Sequence, residues 1–200
     1  MTEVLRILLP LYLLAFFLIA FVARSYLVWK RTGINPYVVG KTDRPIDFIE
    51  GFYPIPLVLI LLTTLVFSFL PQFYVFAAPI TWLESLVIQI FGLVLMASGL
   101  IWTATAQMQM GRSWRIGIDT ENKTKLVEKG LFGVSRNPIF LGMRIALLGF
   151  FLVMPNAVTL VAVALADTLM QIQVKLEEEF LTGVHGEIYK EFCGRVRRWI

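Results

Sequence analysis

PIFLGMRIALLGFFLVMPNAVTLVAVALADTLMQIQVKL, residues 138–176, decides the fold. Two apolar runs flank Pro155-Asn156, a pairing that favours a tight turn. Each run approaches the roughly 20 residues that a bilayer crossing needs. The stretch therefore reads as an antiparallel helical hairpin in a membrane. Positions equidistant from the turn lie at similar depth, and Arg144 and Asp167 are equidistant from it. Charges inside a membrane are costly and usually paired, so these two are expected to form an ion pair. The same arithmetic sets Arg136-Asn137-Pro138 opposite Val174 and Lys175, one turn before Glu177-Glu178-Glu179. The polar knot in GVSRNPIFLG, residues 133–142, is thus expected to face that acidic cluster. A plainer reading makes Asn137 the N-cap of a helix with Pro138 at its first position.

The rest of the chain agrees with a membrane protein. Of 200 residues, 58% are hydrophobic, well above the 45–50% usual for soluble domains, and the mean hydropathy is +0.74. Three further spans precede the hairpin: about Leu5 to Trp29, a second after Pro54 and Pro56 that ends before Pro71, and a third to about Gln107. The third opens on Thr81-Trp82-Leu83-Glu84, a capping-box pattern. The expected fold is all-α and multi-pass, with about five spans and a cytoplasmic amphipathic C-terminal helix. Residues 1–110 would form three N-terminal spans, and 111–200 a functional C-terminal region. The first span runs straight into Arg24, Trp29, Lys30 and Arg31, without a small-residue cleavage site, so no cleaved signal is expected.

Lysine and arginine orient the chain. Segments 30–51 and 109–138 and the tail are basic, whereas loops 71–81 and 154–157 hold no Lys or Arg. The positive-inside rule puts the N-terminus outside and the C-terminus in the cytoplasm; only Arg6 falls on the wrong side. One cysteine, Cys193, and one histidine, His185, give no metal cluster within a chain, and no metal is expected. The net charge of +4 follows the spans rather than a groove, so no nucleic-acid partner is expected. Gly111-Arg112-Ser113-Trp114-Arg115 and the terminal Arg195, Arg197, Arg198 and Trp199 read as interface anchors.

Order and spacing in the second half then point to a family. Leu126-Val127 and Gly130-Leu131-Phe132 precede Arg136-Asn137-Pro138-Ile139-Phe140-Leu141-Gly142. After the hairpin come Glu177-Glu178-Glu179-Phe180-Leu181, His185-Gly186-Glu187-Ile188-Tyr189 and Val196-Arg197-Arg198. This series, over about residues 111–200, resembles the isoprenylcysteine carboxyl methyltransferase and phospholipid methyltransferase superfamily of integral membrane enzymes. The resemblance implies methyl transfer from S-adenosylmethionine, bound in the C-terminal half and open to the cytoplasm, to a lipophilic or small acceptor that enters from the bilayer. It implies cofactor contacts at Thr124, Lys125, Leu126, Val127, Phe132, Arg136, Asn137, Pro138 and Phe140. Glu177 would stand between cofactor and acceptor, with Gln173 one turn away on the acceptor side.

Three positions depart from the family pattern. Asn137 stands for His and cannot titrate, Phe140 for Tyr, and Gln173 for the Arg that can hold an acceptor carboxylate in isoprenylcysteine methyltransferases. A neutral or less acidic acceptor, such as an amine, a thiol or a lipid headgroup, is therefore expected. Two alternatives remain open at this point: an NADPH-dependent membrane lipid or sterol reductase with a similar C-terminal pattern, and a non-catalytic membrane scaffold.

Overall fold

A computed structural model describes residues 2–37, 45–117 and 126–200, with backbone only for 45–47. The described residues form helices and no named strand; two isolated bridges join Tyr37 to Ile116 and Pro79 to Asn156. In chain order the α-helices are α1 (Thr2–Phe17), α2 (Arg24–Thr32), α3 (Pro45–Glu50), α4 (Pro54–Phe69), α5 (Leu86–Met110), α6 (Pro138–Val153), α7 (Ala157–His185) and α8 (Glu187–Arg195). A π-helical segment, Leu18–Ala23, joins α1 to α2 without a break.

Four helical stretches are long and apolar enough to cross a membrane: Thr2–Thr32, Phe48–Phe69, Leu86–Ser113 and Ala157–His185. The fifth expected span, α6, has 16 residues, which is about 24 Å of helix. The last expected span, about Ala157 to Leu176, lies in α7, which runs on unbroken to His185 and covers 29 residues. At about 1.5 Å per residue that is roughly 43 Å, so its polar end extends past an apolar layer of about 30 Å. Nothing in Lys175-Leu176-Glu177-Glu178-Glu179 breaks a helix, so composition changes there while the backbone does not.

Solvent exposure runs opposite to that of a soluble protein. Val87, Val94, Ile101 and Met108, seven residues apart along α5, are all exposed. On the inward side Thr103 and Gln107 are 0% and 1% exposed. An outward apolar stripe over a partly polar interior is what a lipid surround favours. The Gln107 amide donates to the Ala20 carbonyl at 2.9 Å, in the π-helical segment where the regular backbone ladder is altered.

α5 and α6 touch backbone to backbone. A Cβ on Gly99 would lie 2.6 Å from the Ala146 backbone nitrogen, and one on Gly149 would lie 2.5 Å from the Gly92 carbonyl oxygen. Small residues that let helices approach this closely are the main source of packing energy in lipid, where burial of apolar area gains little. At the turned end, Leu5 and Leu9 of α1, Ile60 and Phe67 of α4, Met96 of α5, Phe150 of α6 and Ala162 of α7 form one cluster.

The hairpin turn forms where expected. Asn156 caps α7: the Thr159 N–H donates to its side chain at 2.9 Å, and the Asn156 N–H donates back to Thr159 Oγ1 at 3.3 Å. The Ile80 N–H donates to the Pro155 carbonyl at 2.9 Å, and the Ala157 N–H to the Ala78 carbonyl at 3.1 Å. These bonds satisfy a fully buried polar turn.

The capping box expected at Thr81–Glu84 is also corrected. Thr81–Leu83 is a 3-10 turn, and α5 starts at Leu86 with Ser85 as its cap, accepting from the Ile88 N–H at 3.3 Å. Ser85 directly precedes the continuous apolar run, and its extended backbone suits a cap. Trp114 does not anchor at an interface: it is 3% exposed, beneath the Arg24 guanidinium. Arg24 also donates to the Gly111 carbonyl. The Ile116 N–H donates to the Pro36 carbonyl, so two of the basic segments meet at one end of the bundle.

Candidate active site

The hairpin register holds. Arg144 Nε lies 2.5 Å from Asp167 Oδ1, and Gln171 Nε2 donates to Asp167 Oδ2 at 2.6 Å. The Arg144 guanidinium also lies over the Trp199 ring, 4.4 Å from its centroid. The C-terminal end therefore folds back on the hairpin, and Trp199 is a ring partner rather than an outward anchor.

The polar knot meets the acidic cluster at one residue, Glu178. Arg136 Nε and Asn137 Nδ2 each donate to Glu178 Oε1 at 3.1 Å. Arg198 donates to Glu178 Oε2 from Nε at 3.0 Å and from Nη2 at 2.6 Å. Glu178 is buried, and these charge-assisted bonds offset its desolvation. Arg136 also reaches α8, where its Nη1 donates to the Cys193 and Val196 carbonyls at 3.1 Å. These carbonyls lie at the C-terminal end of that helix, where carbonyls lack backbone donors. The Arg136 N–H donates to the Arg197 carbonyl, and Ser135 Oγ to the Arg198 carbonyl. In α8, burial pushes the Tyr189 phenol up, so it remains an O–H group at ordinary pH.

Asn137 sits at the N-cap position of α6, with Pro138 first in the helix, but its side chain makes no capping bond. The plainer reading of Asn137 is corrected on that point: the amide is drawn away to Glu178, a charged acceptor.

Glu177 points to a different side of α7, since neighbouring helical residues diverge by about 100°. Its partner is Gln173, one turn back, as the spacing predicts. Gln173 Nε2 donates to Glu177 Oε1 at 3.0 Å and to Glu50 Oε1 at 3.1 Å. One amide thus bridges two carboxylates, one from α7 and one from the end of α3. Tyr53, just before α4, lies within electrostatic reach of both carboxylates. Gln173 is 3% exposed, and its Oε1 has no hydrogen-bond partner among the described residues; the same holds for the shielded Tyr53 hydroxyl.

The remaining expected residues flank this arrangement. Phe132 is buried in a short turn, Gly130–Gly133, which is tied to α5 where the Leu131 N–H donates to Gln109 Oε1 at 2.7 Å. Pro138 is buried, and Leu126, Val127 and Phe140 are half-buried. Thr124 and Lys125 lie outside the described residues. The Arg136 guanidinium finds its acceptors on Glu178 and at the C-terminal end of α8.

A family model described as phospholipid methyltransferase matches residues 87–188. The chain belongs to this family. The matched region starts within α5, includes α6 and α7 and stops just inside α8, so it holds Asn137, Gln173, Glu177 and Glu178. As a phospholipid methyltransferase family member, the chain is a membrane methyltransferase, and this favours neither the reductase nor the scaffold reading. No curated protein matches the chain.

Sequence reasoning named Glu178 only as part of the acidic cluster and Arg198 only as an anchor, and it missed Glu50 and Tyr53. For Glu178 the signal was present: hairpin arithmetic set Asn137 opposite Val174, and Glu178 is one turn further on that stripe. Glu50 and Tyr53 carry no such mark, being in another part of the chain and outside the family match.

Proposed function

We propose that this chain methylates a lipophilic or small acceptor other than a carboxylate, using S-adenosylmethionine, at the basic, cytoplasmic end of the bundle. The observation that carries this reading is the Gln173 amide, buried between the carboxylates of Glu50 and Glu177 at the family's acceptor position. A carboxylate acceptor of the isoprenylcysteine kind would meet like charge there instead of a guanidinium.

A polar ligand beside Glu177 suits the buried Gln173 Oε1 and Tyr53 hydroxyl, which have no partner among the described residues, since such atoms in native proteins normally have one. Residues 111–200 would hold the cofactor, and the spans of 1–110 would complete its membrane setting. Leu126, Val127, Phe132, Pro138 and Phe140 offer apolar walls for an adenine, with Thr124 and Lys125 beside them. Arg136 and Asn137 hold Glu178 and so fix the start of α6 against α7. When bound, S-adenosylmethionine supplies a methyl group already activated by its cationic sulfur. The chain then has chiefly to align an acceptor, and Glu177 is placed to accept its proton.

Calorimetric titration with S-adenosylhomocysteine and with NADPH tests the reading. S-adenosylhomocysteine is expected to bind and NADPH not to bind. Glu177→Gln is expected to lower turnover about 100-fold, within the usual range for acid–base groups, and Asn137→Ala to weaken cofactor binding, both in folded protein. NADPH binding alone would favour the reductase, and binding of neither ligand the scaffold.

The orientation has its own check. Cys193 is half-buried in α8. In intact cells it is expected to react with a membrane-permeant thiol reagent and to resist an impermeant one. Strong labelling by the impermeant reagent would invert the topology.

A further inference from the structure

The basic end of the bundle holds a buried cation that the candidate active site does not use. Arg24, in α2, is 4% exposed and lies over the Trp114 ring, 5.8 Å from its centroid. Its Nη2 donates to the Gly111 carbonyl, but its shielded Nε has no partner among the described residues. A neutral carbonyl and a ring face are thus its partners there, whereas a buried charge is normally paired with an opposite one. The surroundings add charge of the same sign. Arg31, two turns on along α2, is exposed and within electrostatic reach of Arg24. Arg112 is exposed on the turn after α5. The two segments are held together where the Ile116 N–H donates to the Pro36 carbonyl at 2.8 Å. Residues 24–37 and 111–117 contain five Lys and Arg and no Asp or Glu. Their field attracts an anion and offers nothing to a second cation. There is also room: a Cβ on Gly111 would meet nothing within 4 Å.

We propose that Arg24, Arg31 and the turn after α5 form an anion site that takes a phosphate group of net negative charge, as on an anionic lipid. A phosphate oxygen is a strong acceptor for a guanidinium N–H such as the Arg24 Nε–H. Depth suits a lipid source. The first span, Thr2–Thr32, has 31 residues, or roughly 46 Å of helix, against about 30 Å of hydrocarbon. Arg24 lies eight residues from the end of that span, about 12 Å, where a long side chain reaches the headgroup layer. A zwitterionic headgroup brings its own ammonium, which would meet five cations and no carboxylate in these segments. The site therefore selects against zwitterionic lipids. It is also separate from the groups around Glu177, which belong to α3 and α7. Gly111 and Trp114 lie within the family match and Arg24 outside it, so a bound lipid ties the first span to the matched helices.

The test is native mass spectrometry of the full chain in dodecyl maltoside, with equal amounts of phosphatidylglycerol and phosphatidylcholine. Wild type is expected to retain phosphatidylglycerol at least about fivefold over phosphatidylcholine, as a guanidinium–phosphate pair favours net negative charge. Arg24→Gln, which keeps a donor for the Gly111 carbonyl, is expected to lose most of that preference. Arg31→Gln, at an exposed position, is expected to lower it about threefold, as a second charge acting from a distance does. Lys190→Gln, on α8 and paired with Glu187, is expected to leave it unchanged. Thermal unfolding followed by tryptophan fluorescence separates two sources of the phosphate. Stabilisation by phosphatidylglycerol, and none by inorganic phosphate at matched ionic strength, supports the site and assigns it to lipid. Equal stabilisation by both supports it and assigns it to soluble phosphates. Equal retention of the two lipids by wild type would overturn the proposal, as would an unchanged preference in Arg24→Gln. If Arg24→Gln does not fold, Arg31→Gln decides, and a preference equal to that of wild type overturns the site. Neither readout involves methyl transfer, so this result and the methyltransferase reading stand or fall separately.

Discussion

Glu178→Ala is expected to destabilise the protein by about 3–5 kcal/mol, the usual cost of stranding a buried partner charge, and to abolish cofactor binding. Glu178 receives bonds from Arg136, Asn137 and Arg198, so its loss frees two guanidinium groups at once. They do not suffer equally. The Arg136 side chain is 13% exposed and the Arg198 side chain 39%, so Arg198 can turn to water while Arg136 cannot. Arg136 keeps its two carbonyl acceptors on α8 but loses the only carboxylate among its described partners. The start of α6 should then shift against α7, carrying Asn137 and Pro138 with it. Glu178→Gln retains one acceptor oxygen and should cost roughly half as much, because neutral acceptors bind guanidinium less strongly. Glu179→Ala, at an exposed position on the next residue, should change stability by no more than about 0.5 kcal/mol. Unfolding in a denaturing detergent, followed by circular dichroism, measures all three. If Glu178→Ala unfolds together with Glu179→Ala, the network does not hold the site.

The second large effect is expected at Arg144 and Asp167. Either Arg144→Leu or Asp167→Leu should cost about 3–5 kcal/mol in a bilayer, where a lone charge finds no water. The double change should recover much of that loss. Recovery should be incomplete, because Arg144 also lies over Trp199 and the double variant lacks that contact. Cation–π contacts of this kind are worth about 0.5–2 kcal/mol. Trp199→Leu alone should therefore cost about as much as the double variant fails to recover. Each carboxylate oxygen of Asp167 has its own partner, Arg144 or Gln171, so Asp167→Asn should be milder than Asp167→Leu. The single variants should look better in detergent than in nanodiscs, since both side chains are about 30% open at the surface of the bundle (29% and 31%), and water can reach them there. Equal stability of wild type and both single variants in nanodiscs would show that the pair contributes nothing.

Both effects concern charges on helices that lie along one hairpin, and such features are legible in a sequence. An antiparallel hairpin about a fixed turn has one register, and helical geometry repeats regularly along it. Arg144 and Asp167 could be paired by counting residues, and the polar knot could be set against the acidic cluster in the same way. Gln173 and Glu177 are one turn apart on one helix, so their contact is local. Residues 87–188 also carry the family, because there the motif-bearing positions lie close together in the chain.

What the amino-acid sequence by itself determined is the membrane setting, the hairpin and the family. Each depends on runs of apolar residues, on turn chemistry or on the ordered spacing of a few residues. Only the tertiary structure decided which glutamate meets the knot, because that depends on how far α7 is rotated as it packs on α6. It alone brought Glu50 to Gln173, 123 residues apart, since no periodicity links α3 to α7. It alone laid Arg198 on Glu178 and Trp199 on Arg144, where sequence reading saw an outward anchor. Contacts between segments joined by long connections depend on packing in three dimensions, and neither propensity nor spacing encodes them.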